Sequence, residues 1–289
     1  MKRIIFWIIL LSLLVWGFKQ GSFVYQNFRG IGPAVRPPSG NIATILETTP
    51  KQAVNTTGLP LTLLPGFSIH IFAKNLGVAR VLAWDPQGTL LVSIPSQGKV
   101  VALPDRNGDG VADETRTVLT GLDKPHGLAF RDGKLYVAQT GEVDVYAYDP
   151  AAFRATDKKN LFDLPANGIH YTRTIGFGPD GRLYVSVGSD CNVCVEKDPR
   201  RTKILVANPD GTDLKEFASG LRNTVFFTWH PTTHELWGND MGRDLLGDDI
   251  PPDEINILKE GKFYGWPYCY GKNIVDREFD TGTGAAEKM

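Results

Sequence analysis

The sequence predicts an all-β fold of the β-propeller type. A tight turn followed by an alternating apolar strand occurs repeatedly, and the first copies lie roughly 48 residues apart, the length of one four-stranded blade. At this period the chain has room for about four to five blades. Gly, Pro and aromatic residues are abundant, and no long stretch shows the apolar periodicity of a helix.

Each copy of the motif combines a turn with a strand. The copies begin at Trp84 (WDPQGTLLVSI), Phe130 (FRDGKLYVAQ), Gly178 (GPDGRLYVSV) and Trp229 (WHPTTHELWGND). Gly, Pro, Asn and Asp favour turns, whereas apolar residues at every second position favour a half-buried strand. Because the loops of a propeller converge on a central site, we expect the functional residues on loops.

The chain divides into a leader, a linker and a propeller domain. In residues 1–20, Lys2 and Arg3 precede an apolar run, which predicts a secretory signal peptide or an N-terminal anchor. Residues 21–59 are rich in Gly, Pro, Thr and Asn and are interpreted as a linker, and residues 60–289 as the propeller domain. The expected location is periplasmic or otherwise extracytoplasmic, with membrane tethering through the leader left open.

The net charge and the cysteine pattern argue against several classes of partner and cofactor. The formal net charge of −1 and the lack of a large basic cluster give no reason to expect a nucleic acid. In an exported protein, Cys191 and Cys194 are expected to form a disulfide, with Cys269 unpaired or pairing with one of them. Val195 stands where c-type haem attachment needs a histidine, and a zinc site would need more ligands. A thiol redox role stays open beside the structural one.

Two acidic segments are candidate cation sites. One places oxygen ligands at alternate positions, as a calcium loop does, and its candidates are Asp105, Asn107, Asp109 and Asp113. Arg116 occupies the position of the expected bidentate glutamate, so this loop is either a second, structural Ca²⁺ site or a solvated turn. In the other segment, residues 239–254, the carboxylates repel one another unless a cation or an arginine lies among them.

Four segments, in order and spacing, resemble a known family. They are HYTRTIGFGPDGRLYVSVGS from His170, GLRN ending at Asn223, NDMGRDLLGDDIPPDEIN from Asn239 and YGWPYCYG ending at Gly271. Together they resemble the PQQ-dependent soluble aldose sugar dehydrogenases and sorbosone dehydrogenases, which are six-bladed propellers similar to quinoprotein glucose dehydrogenase. The resemblance covers nearly all of the chain beyond the linker and implies a C-terminally truncated six-bladed propeller.

The resemblance also implies the roles of individual residues. His170 would be the catalytic base, and Arg222 would stabilise the charge that develops on the quinone. Backbone carbonyls of Gly242 and Arg243 would bind the catalytic Ca²⁺. The residues implied to contact the cofactor are His126, Arg222, Asn223, Gly242 and Arg243.

The implied activity is that of an exported quinoprotein. It would oxidise the C1 hydroxyl of an aldose, or a related sugar or aldehyde such as sorbosone, to a lactone or acid. His170 would remove the proton, hydride would pass to Ca²⁺-bound PQQ, and a respiratory or dye acceptor would take the electrons. A calcium-dependent lactonase-like propeller and a non-catalytic propeller binding module stay open as alternatives.

One position departs from the family pattern. Sugar-type members place an aspartate beside the base, after the final glycine of the strand. Here Gly188 is followed by Ser189, and Asp190 comes one step later. Either Asp190 orients His170 from a shifted loop, or another group does so.

Overall fold

The computed structural model describes residues 16–17 and 53–280. Residues 53–280 form an all-β arrangement of four propeller blades, which confirms the predicted fold class. Within this range the helical element is the 3-10 turn Pro95–Gln97. Neither described range contains a helix that is long and apolar enough to cross a membrane. Apart from Trp16 and Gly17, the predicted leader lies outside the described residues, as does most of the predicted linker.

Blades 1 and 2 are four-stranded antiparallel sheets whose strands follow chain order. A short parallel pair, β1 (Val54–Asn55) and β2 (Ser68–Ile69), precedes them. Blade 1 contains β3 (Val81–Trp84), β4 (Leu90–Ile94), β5 (Lys99–Leu103) and β6 (Arg116–Leu119). Blade 2 contains β7 (Leu128–Arg131), β8 (Lys134–Ala138), β9 (Glu142–Asp149) and β10 (Arg154–Asp163).

Blades 3 and 4 continue the same order. Blade 3 contains β11 (Ile175–Phe177), β12 (Leu183–Val187), β13 (Lys203–Ala207) and β14 (Lys215–Ser219). Blade 4 contains β15 (Thr224–Trp229), β16 (Leu236–Asp240) and β17 (Glu254–Leu258). The chain then returns to blade 3, where β18 (Lys262–Phe263) pairs parallel to β14. A last hairpin contains β19 (Cys269–Tyr270) and β20 (Ile274–Val275).

The four turns predicted from the sequence each join the first and second strands of a blade. Aspartate side chains stabilise two of them. Asp85 Oδ1 accepts the backbone N–H groups of Gln87 and Thr89 at 2.9 and 2.8 Å. Asp180 Oδ1 accepts the N–H of Arg182 at 3.1 Å. These local hydrogen bonds explain why the turns are recognisable from the sequence alone.

The core lies between neighbouring blades, and strand alternation divides each middle strand between two interfaces. In β8, Leu135 and Val137 pack toward blade 1, whereas Tyr136 and Ala138 pack toward blade 3. Successive side chains of a strand point to opposite faces, so a strand between two blades is buried on both. The far face of blade 4 has no such neighbour among the described residues, and Phe226 and Ile255 on it are exposed.

The antiparallel order also decides where the loops lie. The connection from the second to the third strand leaves a blade at the same end as the connection to the next blade. We call this end the loop face; it carries the β6–β7, β10–β11, β12–β13, β14–β15 and β16–β17 connections. The loop of Asp105–Asp113 joins β5 to β6 and therefore lies at the opposite end.

Packing between blades should dominate the free energy of unfolding. Leu183 is fully buried between blades 2 and 3, so Leu183→Ala should lower this free energy by about 2–5 kcal/mol. Ile255 is 75% exposed, and Ile255→Ala should change it by less than about 0.5 kcal/mol. Urea unfolding followed by circular dichroism measures both; equal losses would contradict the assignment of the core.

Candidate active site on the loop face

The structure brings the site residues implied by the resemblance to the loop face. His126 lies on the β6–β7 connection and His170 on the β10–β11 connection. Arg222 and Asn223 lie between β14 and β15, and the Gly242–Arg243 pair lies between β16 and β17. Hydrogen bonds between these loops link them directly.

Ser189 orients the ring of His170. The Nδ1 atom lies 3.0 Å from the Ser189 carbonyl oxygen and 2.8 Å from Ser189 Oγ, which itself donates to the carbonyl of Cys191. A carbonyl oxygen can only accept, so Nδ1 carries the proton and Nε2 keeps its lone pair. Asp190 is exposed, and its N–H donates to Glu196. Of the two alternatives that the sequence left open, the structure shows that a group other than Asp190 holds the ring.

The surroundings of His170 favour its neutral form. Burial lowers the pKa of His170, and the nearby positive charge of Arg222 lowers it further. The hydrogen bond to Ser189 and the charge of Asp244 act in the opposite direction but do not outweigh them. A histidine whose pKa lies below its ordinary value near 6.5 is mostly unprotonated at neutral pH, as a proton acceptor must be.

Arg222 is a buried cation held by two loops. Its side chain is 2% exposed, and its Nη2 atom lies 3.0 Å from Asp244 Oδ2. Nε donates to the carbonyl of Asn192 at 2.9 Å, and Nη2 donates to Asn192 Oδ1 at 2.9 Å. Within residues 53–280, Nη1 has only a long contact of 3.5 Å, to the carbonyl of Met241. Donor capacity therefore remains on Nη1.

A buried carboxylate shapes the turn that carries Arg222. Asp240 accepts the backbone N–H groups of Arg222 and Asn223, each at 2.9 Å, and the hydroxyl of Thr224 at 3.0 Å. Burial raises the pKa of Asp240 to about 7, while these three donors lower it. The β14–β15 turn is thus attached to the end of β16.

Gly188 permits a close approach at the same point. A Cβ atom on it would lie 2.6 Å from Asn223 Oδ1 and 2.8 Å from His170 Cβ. Both distances are shorter than van der Waals contact, so only glycine fits between these two side chains.

His126 is fully buried and presents an unpaired nitrogen. Its Nδ1 lies 3.1 Å from the carbonyl of Arg173, which requires a proton on Nδ1. Nε2 has no hydrogen-bond partner among the described residues. Burial lowers the pKa of His126 to about 4, so the ring is neutral and Nε2 is an acceptor.

Arg222, from the β14–β15 turn, and Arg243, within the acidic segment between β16 and β17, each form an ion pair. Arg222 pairs with Asp244, and Arg243 pairs with Asp276 at 2.7 Å. The N–H of Gly242 donates to Asp253 at 3.0 Å. The roles of the Gly242 and Arg243 carbonyls as Ca²⁺ ligands stay a prediction.

The candidate calcium loop at the opposite end is held by its own side chains. Asp105 accepts the N–H groups of Gly108 and Gly110, each at 2.9 Å. Asn107 Nδ2 donates to Asp109 at 3.0 Å, and Asp113 Oδ2 accepts the backbone N–H of Arg106 at 2.8 Å. Structural Ca²⁺ binding here stays a prediction.

The cysteines pair as the sequence predicted. A disulfide joins Cys191 to Cys194, and Cys269 is free. The ring closed by the disulfide contains Asn192, the residue that accepts hydrogen bonds from Arg222. Sequence reasoning missed the roles of Ser189 and Asn192, although both stand in the segment GSDCNVC beside the predicted disulfide.

Fold and site together define a β-propeller with a neutral histidine beside a buried arginine on its loop face. The chain belongs to the TrAA12-like family, which matches residues 61–285. This match confirms the resemblance at the level of the family. Sorbosone specificity stays a prediction.

Two curated proteins are similar to most of this chain. A pyrroloquinoline quinone-dependent pyranose dehydrogenase of Coprinopsis cinerea is 27% identical over 247 residues, which cover 71% of this chain and 32% of the relative. An uncharacterized protein of Borreliella burgdorferi is 30% identical over 223 residues, 72% of this chain and 56% of the relative. The chain therefore spans about half the length of one curated relative and a third of the other.

A solved structure shows the same fold. The holo form of the pyranose dehydrogenase PQQ domain from Coprinopsis cinerea superposes with a TM-score of 0.64 at 22% identity. The superposition covers 75% of this chain and 62% of that one.

Substitution of Gly188 should disturb His170. Gly188→Ala would push the His170 and Asn223 side chains apart and admit water, which should raise the pKa of His170 toward its ordinary value. Proton NMR titration measures this pKa, with His170→Gln assigning the signal. Gly141→Ala is the control, because its nearest contact is a looser 3.1 Å to Ala166. An unchanged titration in Gly188→Ala would contradict the packing described.

Proposed function

We propose that this chain carries the active site of an exported PQQ- and Ca²⁺-dependent sugar dehydrogenase. The observation that supports it most strongly is the neutral His170 ring next to the buried guanidinium of Arg222. The Nε2 atom of His170 has no hydrogen-bond partner in the part of the chain that the structure describes. Membership of the TrAA12-like family and the similarity to a pyranose dehydrogenase add support.

The unsatisfied groups on the loop face suit PQQ, which offers carboxylate and quinone oxygens and a pyrrole N–H. Arg222 Nη1 retains donor capacity, and the one hydrogen-bond contact of Asn223 Nδ2 within the described ranges is to the sulfur of Met241, at 3.5 Å. His126 Nε2 is a buried acceptor without a partner among the described residues. These residues would hold the cofactor, and the carbonyls of Gly242 and Arg243 would bind Ca²⁺. When bound, PQQ would supply the hydride acceptor and Ca²⁺ would supply Lewis-acid polarisation.

In this proposal, the residues of the chain transfer the substrate proton and stabilise the charges that develop. His170 Nε2 removes the proton from the C1 hydroxyl of the sugar. The Ser189 carbonyl accepts the Nδ1–H and so stabilises the imidazolium that forms. Arg222, fixed by Asn192 and Asp244, places positive charge where negative charge develops.

The substrate we propose is an aldose or a related sugar or aldehyde such as sorbosone, and the product is a lactone or acid. The electrons would pass to a respiratory acceptor in the periplasm or another extracytoplasmic space. The leader would direct export and is also the candidate membrane tether.

Replacement of His170 should separate cofactor binding from catalysis. We expect His170→Gln to bind PQQ in the presence of Ca²⁺ and to lower kcat for aldose oxidation by about 10²- to 10⁴-fold. His230→Gln, at the opposite end of blade 4, is the matched control and should keep kcat. PQQ titration with and without Ca²⁺, followed by dye reduction, measures both effects.

Other outcomes of this experiment identify other functions. Lactone hydrolysis without quinone would favour the lactonase, whereas a folded protein without PQQ binding or hydrolysis would favour a binding module. Either outcome would contradict the dehydrogenase proposal.

The dependence of kcat/KM on pH should reflect the protonation of His170. The base acts when it is neutral, so kcat/KM should fall as the pH drops through the lowered pKa of His170, below about 6.5. Arg222→Gln removes a positive neighbour and should move this acidic limb to higher pH, in addition to lowering the rate. A wild-type limb above pH 6.5, or a limb that moves to lower pH in the variant, would contradict this assignment.

A further inference from the structure

One loop holds both of the groups that the proposed chemistry uses. On the β12–β13 connection, Ser189 accepts the Nδ1–H of His170. A few residues later, Asn192 accepts hydrogen bonds from the guanidinium of Arg222. The placement of the base relative to the cation therefore depends on the conformation of this loop.

Asn192 uses its backbone and its whole side chain for this purpose. Its carbonyl oxygen accepts from Arg222 Nε, and its Oδ1 accepts from Arg222 Nη2. The same Oδ1 accepts the N–H of Asp244 at 2.7 Å, and Nδ2 donates to the carbonyl of Asp244 at 3.0 Å. An arginine side chain has many rotamers, so two fixed acceptors on one residue restrict its guanidinium strongly. Asn192 also ties the blade 3 loop to the blade 4 loop.

The disulfide holds Asn192 in position. Asn192 lies inside the ring that Cys191 and Cys194 close, and Ser189 Oγ donates to the Cys191 carbonyl at 2.8 Å. A covalent ring removes loop conformations that the open chain could adopt. Reduction by a dithiol would break the S–S bond and form two S–H groups, while the dithiol itself becomes a disulfide.

We propose that Asn192 is the positioning residue for Arg222, and that the Cys191–Cys194 disulfide keeps it in place, so that rapid sugar oxidation requires the oxidised pair. This inference rests on the proposed dehydrogenase function.

The side chain is tested first in the full-length protein. Asn192→Ala should lower kcat for aldose oxidation roughly 100-fold, with a smaller change in KM, because Arg222 loses its fixed orientation. Asn192→Asp keeps the acceptor oxygen and should recover part of the rate. Without any cofactor, NMR should show a higher pKa for His170 in Asn192→Ala, since Arg222 is no longer held beside it.

The ring is tested by removing the disulfide. Cys191→Ser combined with Cys194→Ser should lower kcat as Asn192→Ala does, whereas Cys269→Ser should not. Dithiol treatment of folded Cys269→Ser protein should lower kcat in the same way, and reoxidation should restore it. Circular dichroism checks the fold in each case. If the double serine variant does not fold, the reversible dithiol experiment tests whether a high kcat requires the disulfide.

The outcomes separate this inference from the proposed function. Wild-type kcat and wild-type His170 titration in Asn192→Ala would overturn the positioning role of Asn192. Full activity of the reduced protein would overturn the role of the disulfide. A wild type that binds no PQQ would refute the dehydrogenase function, while the cofactor-free NMR titration would still test whether Asn192 positions Arg222.

Discussion

The site depends on the hydrogen bonds that the buried carboxyl group of Asp240 accepts from the β14–β15 turn. Its oxygens accept the backbone N–H groups of Arg222 and Asn223, at the point where the chain passes from blade 3 to blade 4. Without an acceptor there, two N–H groups would be buried unpaired, at a cost of about 1–3 kcal/mol each. The direction in which the Arg222 side chain leaves the turn follows from this constraint.

The other contacts of the site join loops of different blades. His170 comes from the connection between blades 2 and 3, and Ser189 lies within blade 3. Arg222 follows blade 3, and Asp244 lies within blade 4. Each loop is thus oriented by a neighbouring loop, and the packing of the blades against each other decides the distances. A change that weakens the packing between blades would therefore also change the distances within the site.

Sequence reasoning predicted the parts of the structure that are local. The turn at Gly178 is recognisable because Asp180 caps it within a few residues, and the disulfide follows from the spacing of two cysteines. The resemblance to a family supplied His170 and Arg222. The role of Asn192 could not be predicted, because it partners Arg222 30 positions along the chain, and only blade packing brings the two loops together. The same holds for Ser189 and His170.

A crystal structure of the full-length protein with PQQ and Ca²⁺ would test the central claim most directly. We expect the quinone to lie on the loop face, in hydrogen-bond contact with Arg222 and Asn223, and His170 Nε2 to face the open space beside it. A quinone bound at the opposite end of the blades, or a His170 ring that turns Nε2 toward Ser189, would show that the loop face is not the active site or that His170 is not its base.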